Sequence, residues 1–342
     1  MDLFTPLVSS DKLHPVFSHI LAPEFQPERE VLVKWADGFV DRDNKFVKEF
    51  QITFEPCLWE LYIFAFLKEI GATIDFTLYA PDFVLQTPHG ICVEATISAP
   101  AQGTAPPVGK LHADVIPTDL NEFNRQATLR VCNSLDSKIR KYRKSYSTMP
   151  HVSGKPFVIA LAPFDRPSAH MEASRPIMAA LYGVYFDEEA TMENQKENVV
   201  RYSVDEVRKN VQANVPVGLF TDSRCQEISA VIFNPLATWG KIRAMADNPD
   251  ALSIYTTFHP RENSIMPIVR QTKKSEYYEH LLDGMYIFHN PFATHPLDAN
   301  AFHHDRIAQF CPDRSGILHT VEPDDFLLMR VVFSARQKQE SE

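Results

Sequence analysis

The rhythm of hydrophobic and polar positions changes several times along the chain, and each change predicts an element. Residues 28–39 place Val31, Leu32, Trp35 and Phe39 at helical spacing, and Gly38, Asp41 and Asp43 then signal a turn. Residues 56–69 are apolar on nearly every face, through Leu58, Trp59, Leu61, Tyr62, Ile63, Phe64, Phe66 and Leu67. Pro56 in the first turn and Gly71 just past the end bracket a helix that must be covered on both sides. Residues 72–78 alternate and predict a strand; residues 82–86 follow Pro81, and residues 91–97 follow the turn Pro88-His89-Gly90. The last two are expected to pair as a tight antiparallel hairpin. Leu135, Ile139, Tyr142 and Tyr146 recur at i, i+4, i+7 and i+11, the buried stripe of an amphipathic helix. Residues 157–162 are a continuous apolar run, as expected of a fully covered central strand.

The flanking regions are less patterned. Pro6, Pro15, Pro23 and Pro27 crowd the first part of the chain and predict an irregular arm over residues 1–26 that wraps the domain. A long Pro, Gly and Ala-rich loop is expected over residues 99–117. Residues 186–197 are acidic and read as a surface loop or helix end, and the tail after Ala335 is polar. Residues 228–233, 253–258 and 326–333 read as strands that extend one sheet. The expected fold is therefore α/β, a central mixed sheet flanked by helices. Residues 1–53 form an arm and helix packing on the core, residues 54–162 the core, and residues 163–342 an extension of the same domain.

Composition sets outer bounds. With 342 residues, 44% hydrophobic, the chain can bury a sizeable core. A net charge of −10 argues against a surface coated by nucleic acid but leaves room for a local basic groove. Residues 125–144 supply one, with seven basic residues and one acid. Cys57, Cys92, Cys132, Cys225 and Cys311 are scattered without a CxxC pair, so neither a disulfide framework nor a zinc ribbon is expected. The first ten residues lack the features of a signal peptide and no apolar run reaches the length of a membrane span, so a soluble cytoplasmic protein without a membrane partner is expected. The histidines His280, His289, His295, His303 and His304 show no HExxH or i, i+4 spacing, and no GxSxG, P-loop or GxGxxG fingerprint is present.

Three acids stand where acids need a reason: Glu60 inside the apolar helix, Asp82 at the start of an apolar strand, and Glu94 inside the next. Burying an unpaired carboxylate costs several kcal/mol, roughly, so a bound metal ion is the simplest single partner for all three. Across the hairpin Asp82 and Glu94 become neighbours, and Cys92, Glu94 and Thr96 share one strand face. Lys138 flanks the buried stripe of the second helix, close enough for its stem to reach Glu94, while Arg140, Lys141 and Lys144 lie further round and would meet phosphates. Glu49 and Gln51, just upstream of the first helix, are secondary candidates.

The order helix, three strands, helix, strand resembles the αβββαβ core of the PD-(D/E)xK nuclease superfamily. Pro81-Asp82 stands for the "PD", Glu94-Ala95-Thr96 for the "(D/E)xK", and Glu60 for the helix glutamate that many members add. The resemblance spans roughly residues 54–162 and implies a restriction-endonuclease-like core that holds Mg2+ or Mn2+ on Asp82, Glu94 and Glu60 and hydrolyses DNA or RNA. Thr96 occupies the motif-lysine position and could only hydrogen-bond. The family contains variants whose lysine comes from the neighbouring helix, which assigns that role to Lys138. The alternative expectation is a nuclease-like fold without catalysis, serving as a nucleic-acid-binding or regulatory module.

Overall fold

The computed structural model describes the chain except residues 88–89, 101–116, 195–197, 263 and 336–342. The predicted turn at Pro88-His89, most of the predicted 99–117 loop, the end of the acidic stretch and the polar tail lie outside the described residues.

The predicted arm is more helical than its prolines suggest. Pro15 and Pro27 fall in the first turns of α1 (Pro15–Ile20) and α2 (Gln26–Ala36), where a missing N–H costs nothing. Helix α3 (Phe46–Ile52) leads into α4 (Glu55–Glu69), whose apolar faces are buried as its composition demands. Its end is a Schellman closure: Gly71, at φ +73°, lets the Gly71 and Ala72 amides donate to the Lys68 and Leu67 carbonyls. Gln51 pins the arm, its amide donating to the Leu3 and Thr5 carbonyls, which is a core-edge role.

Three strands follow: β1 (Thr73–Ile74), β2 (Phe83–Thr87) and β3 (Cys92–Ser98). Strand β1 is shorter than predicted, because the Asp75 carboxylate accepts from the Thr77 amide and hydroxyl and turns the chain. Strands β2 and β3 pair antiparallel as predicted, Phe83 opposite Val93 and Val84 opposite Cys92. After α5 (Leu120–Lys141), β4 (Phe157–Pro163) lies parallel to β3 along its whole length.

Beyond come α6 (Arg175–Tyr182), the ribbon of β5 (Val184–Phe186) and β6 (Arg201–Ser203), with α7 (Glu188–Glu193) between them, and the ribbon of β7 (Glu206–Arg208) and β8 (Asn214–Pro216). Strand β9 (Ala230–Phe233) adds to β4 in parallel, and β12 (Tyr286–His289), β13 (Ala308–Pro312) and β14 (Leu318–Val321) complete a mixed eight-stranded sheet in the order β1-β2-β3-β4-β9-β12-β13-β14. The expectation that every later strand extends this sheet fails for two of them. Strands β10 (Ser253–Arg261) and β15 (Met329–Ser334) pair with each other, and with β11 (Ser264–Lys273) they form a separate three-stranded sheet beyond α8 (Trp239–Met245). A buried cluster anchors that sheet: Arg330 of β15 and Lys241 of α8 both pair with Glu279.

The protein is thus mixed α/β. Two hydrophobic clusters cover the two faces of the large sheet. Val93, Val158 and Ala160 face α4, and Cys92, Phe157 and Ile159 face α5. The period-two alternation of β3 and β4 divides them. Among the described residues no helix is long and apolar enough to cross a membrane.

Candidate functional site

The site forms where β2 and β3 part. Their pairing holds at Phe83 and Val93; one step further Asp82 would face Glu94, but there the Asp82 Oδ2 accepts the Ala95 amide at 2.7 Å. The two strand ends therefore splay. A cleft of about 160 Å³ opens through the gap, lined by Glu60, Asp82, Glu94, Thr96, Lys138 and Lys141 among others. The segment carrying Asp82 is held by two basic residues. The Arg42 guanidinium donates to the Leu78 and Asp82 carbonyls, and His151 Nε2 donates to the Ala80 carbonyl at 2.7 Å.

Glu94 is the most enclosed of the three acids, 1% exposed. Lys138 Nζ lies 2.7 Å and Lys141 Nζ 2.9 Å from its Oε1, and the Tyr146 hydroxyl donates to its Oε2 at 2.9 Å. Helix α5 makes this arrangement possible by changing its pitch: the turn Tyr142–Tyr146 is π-helical. The wider turn carries Tyr146 round to the side of Lys138 and Lys141, which an α-helical turn would present at Ser145. Lys141 also sits over the Tyr146 ring, 4.9 Å from its centre.

The electrostatics divide the acids. Burial works against the ionised form of Glu94, but Lys138 and then Lys141 outweigh it and hold the carboxyl below its ordinary value. Burial, and then the charge of Glu94, push Asp82 up to about 6 against the pull of Lys138. Burial, and then the charge of Asp82, push Glu60 up to about 8 against Arg42. Tyr146 is raised by burial and by Glu94; Lys141 is raised because its bonds to Tyr146 and Glu94 overcome its own burial.

Lys138 reaches Glu94, and Thr96 lines the same cleft. Lys141, predicted to face outward toward phosphates, instead shares Glu94 with Lys138, because the two are one helical turn apart and lysine stems are long. Arg140 is outward as expected and pairs with Asp136, and Lys144 is exposed. Glu60 lines the cleft but comes from α4, on the opposite face of the sheet from α5, and meets the other acids only through the gap. For this reason the predicted three-acid metal set is not closed. Among the described residues no three His, Cys, Asp or Glu side chains gather closely enough to hold an ion as a group. Tyr146 and Arg42 were not legible as site residues: Tyr146 reads as a member of the hydrophobic stripe and Arg42 as part of a polar turn.

The donor chemistry nonetheless suits a hard cation. Asp82 and Glu60 are carboxylates raised by burial and then by a neighbouring acid, Glu94 for Asp82 and Asp82 for Glu60, and a divalent ion between them would relieve both. Glu94 differs, since its charge is already shared with two ammonium groups. No protein-family model, no curated protein and no solved structure matches this chain.

Proposed function

We propose that the cleft is the active site of a metal-dependent nuclease that hydrolyses phosphodiester bonds of DNA or RNA, on a restriction-endonuclease-like αβββαβ core. The observation that carries the reading is the Lys138 to Glu94 contact across the cleft from Asp82, which puts an ammonium group beside two acids at a strand end. Asp82 and Glu60 would hold Mg2+ or Mn2+, and Glu94 would face the ion from the cleft wall. When bound, such an ion supplies positive charge at the phosphoryl oxygens and a more acidic water.

The chain's own residues do the rest. Glu94 fixes the Lys138 ammonium, so that it can neutralise the charge that builds on the phosphate and orient the attacking water. Lys141 and Tyr146 keep Glu94 from moving, and Thr96 adds a hydroxyl for hydrogen bonding in the position where the motif places a lysine. Arg42 and His151 hold the Asp82 segment. Arg140 and Lys144, on the outer face of the same helix, would meet the substrate backbone.

A second reading is the nuclease-like fold without catalysis. It is favoured by the engagement of both Glu94 oxygens and by Thr96. Metal binding separates the two. Titration calorimetry with Mn2+ should show a site in the parent that Asp82→Asn loses; this substitution keeps an acceptor for the Ala95 amide while removing the charge. A parent that binds no Mn2+ favours the binding module.

A further inference from the structure

The proposed active site has a second flank of opposite electrical character. Glu60 and Asp82 also line a larger cavity of about 490 Å³ on the α3 and α4 side of the sheet. Three further carboxylates, Asp41, Asp43 and Glu49, stand on its wall, and Arg42 is its one lining cation. Arg42 is committed, its guanidinium donating to two backbone carbonyls. The Lys45 ammonium pairs with Asp43 at 3.1 Å on the exposed rim. The lysines that face the acids, Lys138 and Lys141, are both on the α5 flank.

The cavity walls are also aromatic. Phe39 and Phe46 form part of the floor, and Tyr79, 82% exposed, stands at the mouth just before the Asp82 segment. A ring that is almost wholly solvent-exposed at the lip of a cavity offers a face for stacking, and stacking on an aromatic ring is open to any base. The volume falls within the range of pockets that enclose small organic molecules. Carboxylates on the wall accept hydrogen bonds from hydroxyl and amino groups and repel phosphate.

We infer that the cleft takes the end of a strand rather than its middle. This rests on the nuclease reading above. The phosphodiester chain runs over the basic α5 flank, and the scissile phosphate sits at Asp82. The terminal nucleoside occupies the acidic cavity, its base on Tyr79 and its free hydroxyl among the carboxylates. A continuous strand would have to lay its next phosphate against Asp41, Asp43 and Glu49. In the step, the oxygen of water bonds to phosphorus, the terminal nucleoside keeps the phosphate, and the ester bond to the strand-side oxygen breaks. That oxygen leaves as a hydroxyl, taking up one proton, while water releases one.

The test compares covalently closed circles of DNA and of RNA with the same molecules cut once to leave ends, in Mn2+. The cut molecules should be degraded and the circles should be at least about tenfold slower, read as the ratio of kcat/KM. Tyr79→Ala should raise KM on cut substrate with little change in kcat. Glu49→Lys, an exposed helix position, should narrow the ratio by bringing a cation to the cavity. Circles cut as fast as linear molecules, or a ratio unmoved by Glu49→Lys, would overturn the strand-end inference and leave the nuclease reading standing. No cleavage of any molecule by the parent would overturn both.

Discussion

Replacing Lys138 by alanine removes one of the two ammonium groups on a nearly inaccessible carboxylate. Breaking a buried ion pair by deleting one partner costs about 3–5 kcal/mol when the remaining charge is uncompensated. Here Lys141 at 2.9 Å and the Tyr146 hydroxyl at 2.9 Å remain on Glu94, so the expected loss is smaller, about 1–3 kcal/mol. Lys141→Ala should cost less, about 0–1 kcal/mol, because the Lys141 side chain is 48% exposed against 18% for Lys138 and its charge is screened by water. Urea denaturation in EDTA measures both, and a cycle with Glu94→Gln isolates the coupling of each lysine. Turnover should separate them further: losing the Lys138 ammonium should cut the single-turnover cleavage rate about 10²–10³-fold, the scale of losing one fixed charge-stabilising donor. Mn2+ affinity should change little. Equal stability losses for the two lysines, or full turnover by Lys138→Ala, would refute this account of the site.

Other substitutions probe separate parts of the structure. Tyr146→Phe should lower stability by about 0.5–1.5 kcal/mol, the net worth of one hydrogen bond, and reduce turnover less than Lys138→Ala does. Arg140→Ala and Lys144→Ala should each weaken nucleic-acid binding and flatten the plot of log affinity against log salt by about 1, because these cations lie outside the acid site. Glu172 is fully buried, with neither carboxylate oxygen accepting a hydrogen bond among the described residues; Arg166 Nε lies 3.7 Å from its Oε1, but burial and then the charge of Asp165 outweigh that pull and hold the carboxyl well above its ordinary value. The native state therefore keeps a proton that the unfolded chain releases, and stability falls as pH rises from the unfolded value through the folded one. Glu172→Gln should be more stable than the parent at pH 8, by on the order of 1–3 kcal/mol, and the gain should vanish near pH 4 in thermal melts at the two values.

The parts of this fold that were legible in the sequence are those set by local rules. Pro56 and Gly71 mark α4, the alternation of residues 91–97 assigns the faces of β3, and the hairpin follows from two strands with a short turn between them. Lys138 was placed beside Glu94 by helical geometry together with the nuclease resemblance. What failed depended on partners distant in sequence or on local departures from regular geometry. Strand β15 pairs with β10 across more than seventy residues of chain, and nothing in residues 253–258 or 326–333 distinguishes a second sheet from more of the first. The π turn at Tyr142–Tyr146 shifts a tyrosine from the hydrophobic stripe onto Glu94, and a fixed rotation per residue does not anticipate it. Glu60 was expected to be enclosed and is instead half-buried, opening on both cavities; which face of the sheet α4 would cover is a tertiary fact, and it decides how the three acids meet.

On the proposed reading, carboxylates at the parted ends of β2 and β3, with Lys138, hydrolyse phosphodiesters with a divalent cation. The most direct measurement follows end-labelled DNA and RNA, single-stranded and duplex, with the purified protein in Mg2+, Mn2+ or EDTA, beside Asp82→Asn. The account predicts cleavage of at least one substrate that needs the cation and disappears in Asp82→Asn while the variant keeps the parent's circular dichroism. No cleavage under any of these conditions, or equal cleavage by parent and variant, would contradict it.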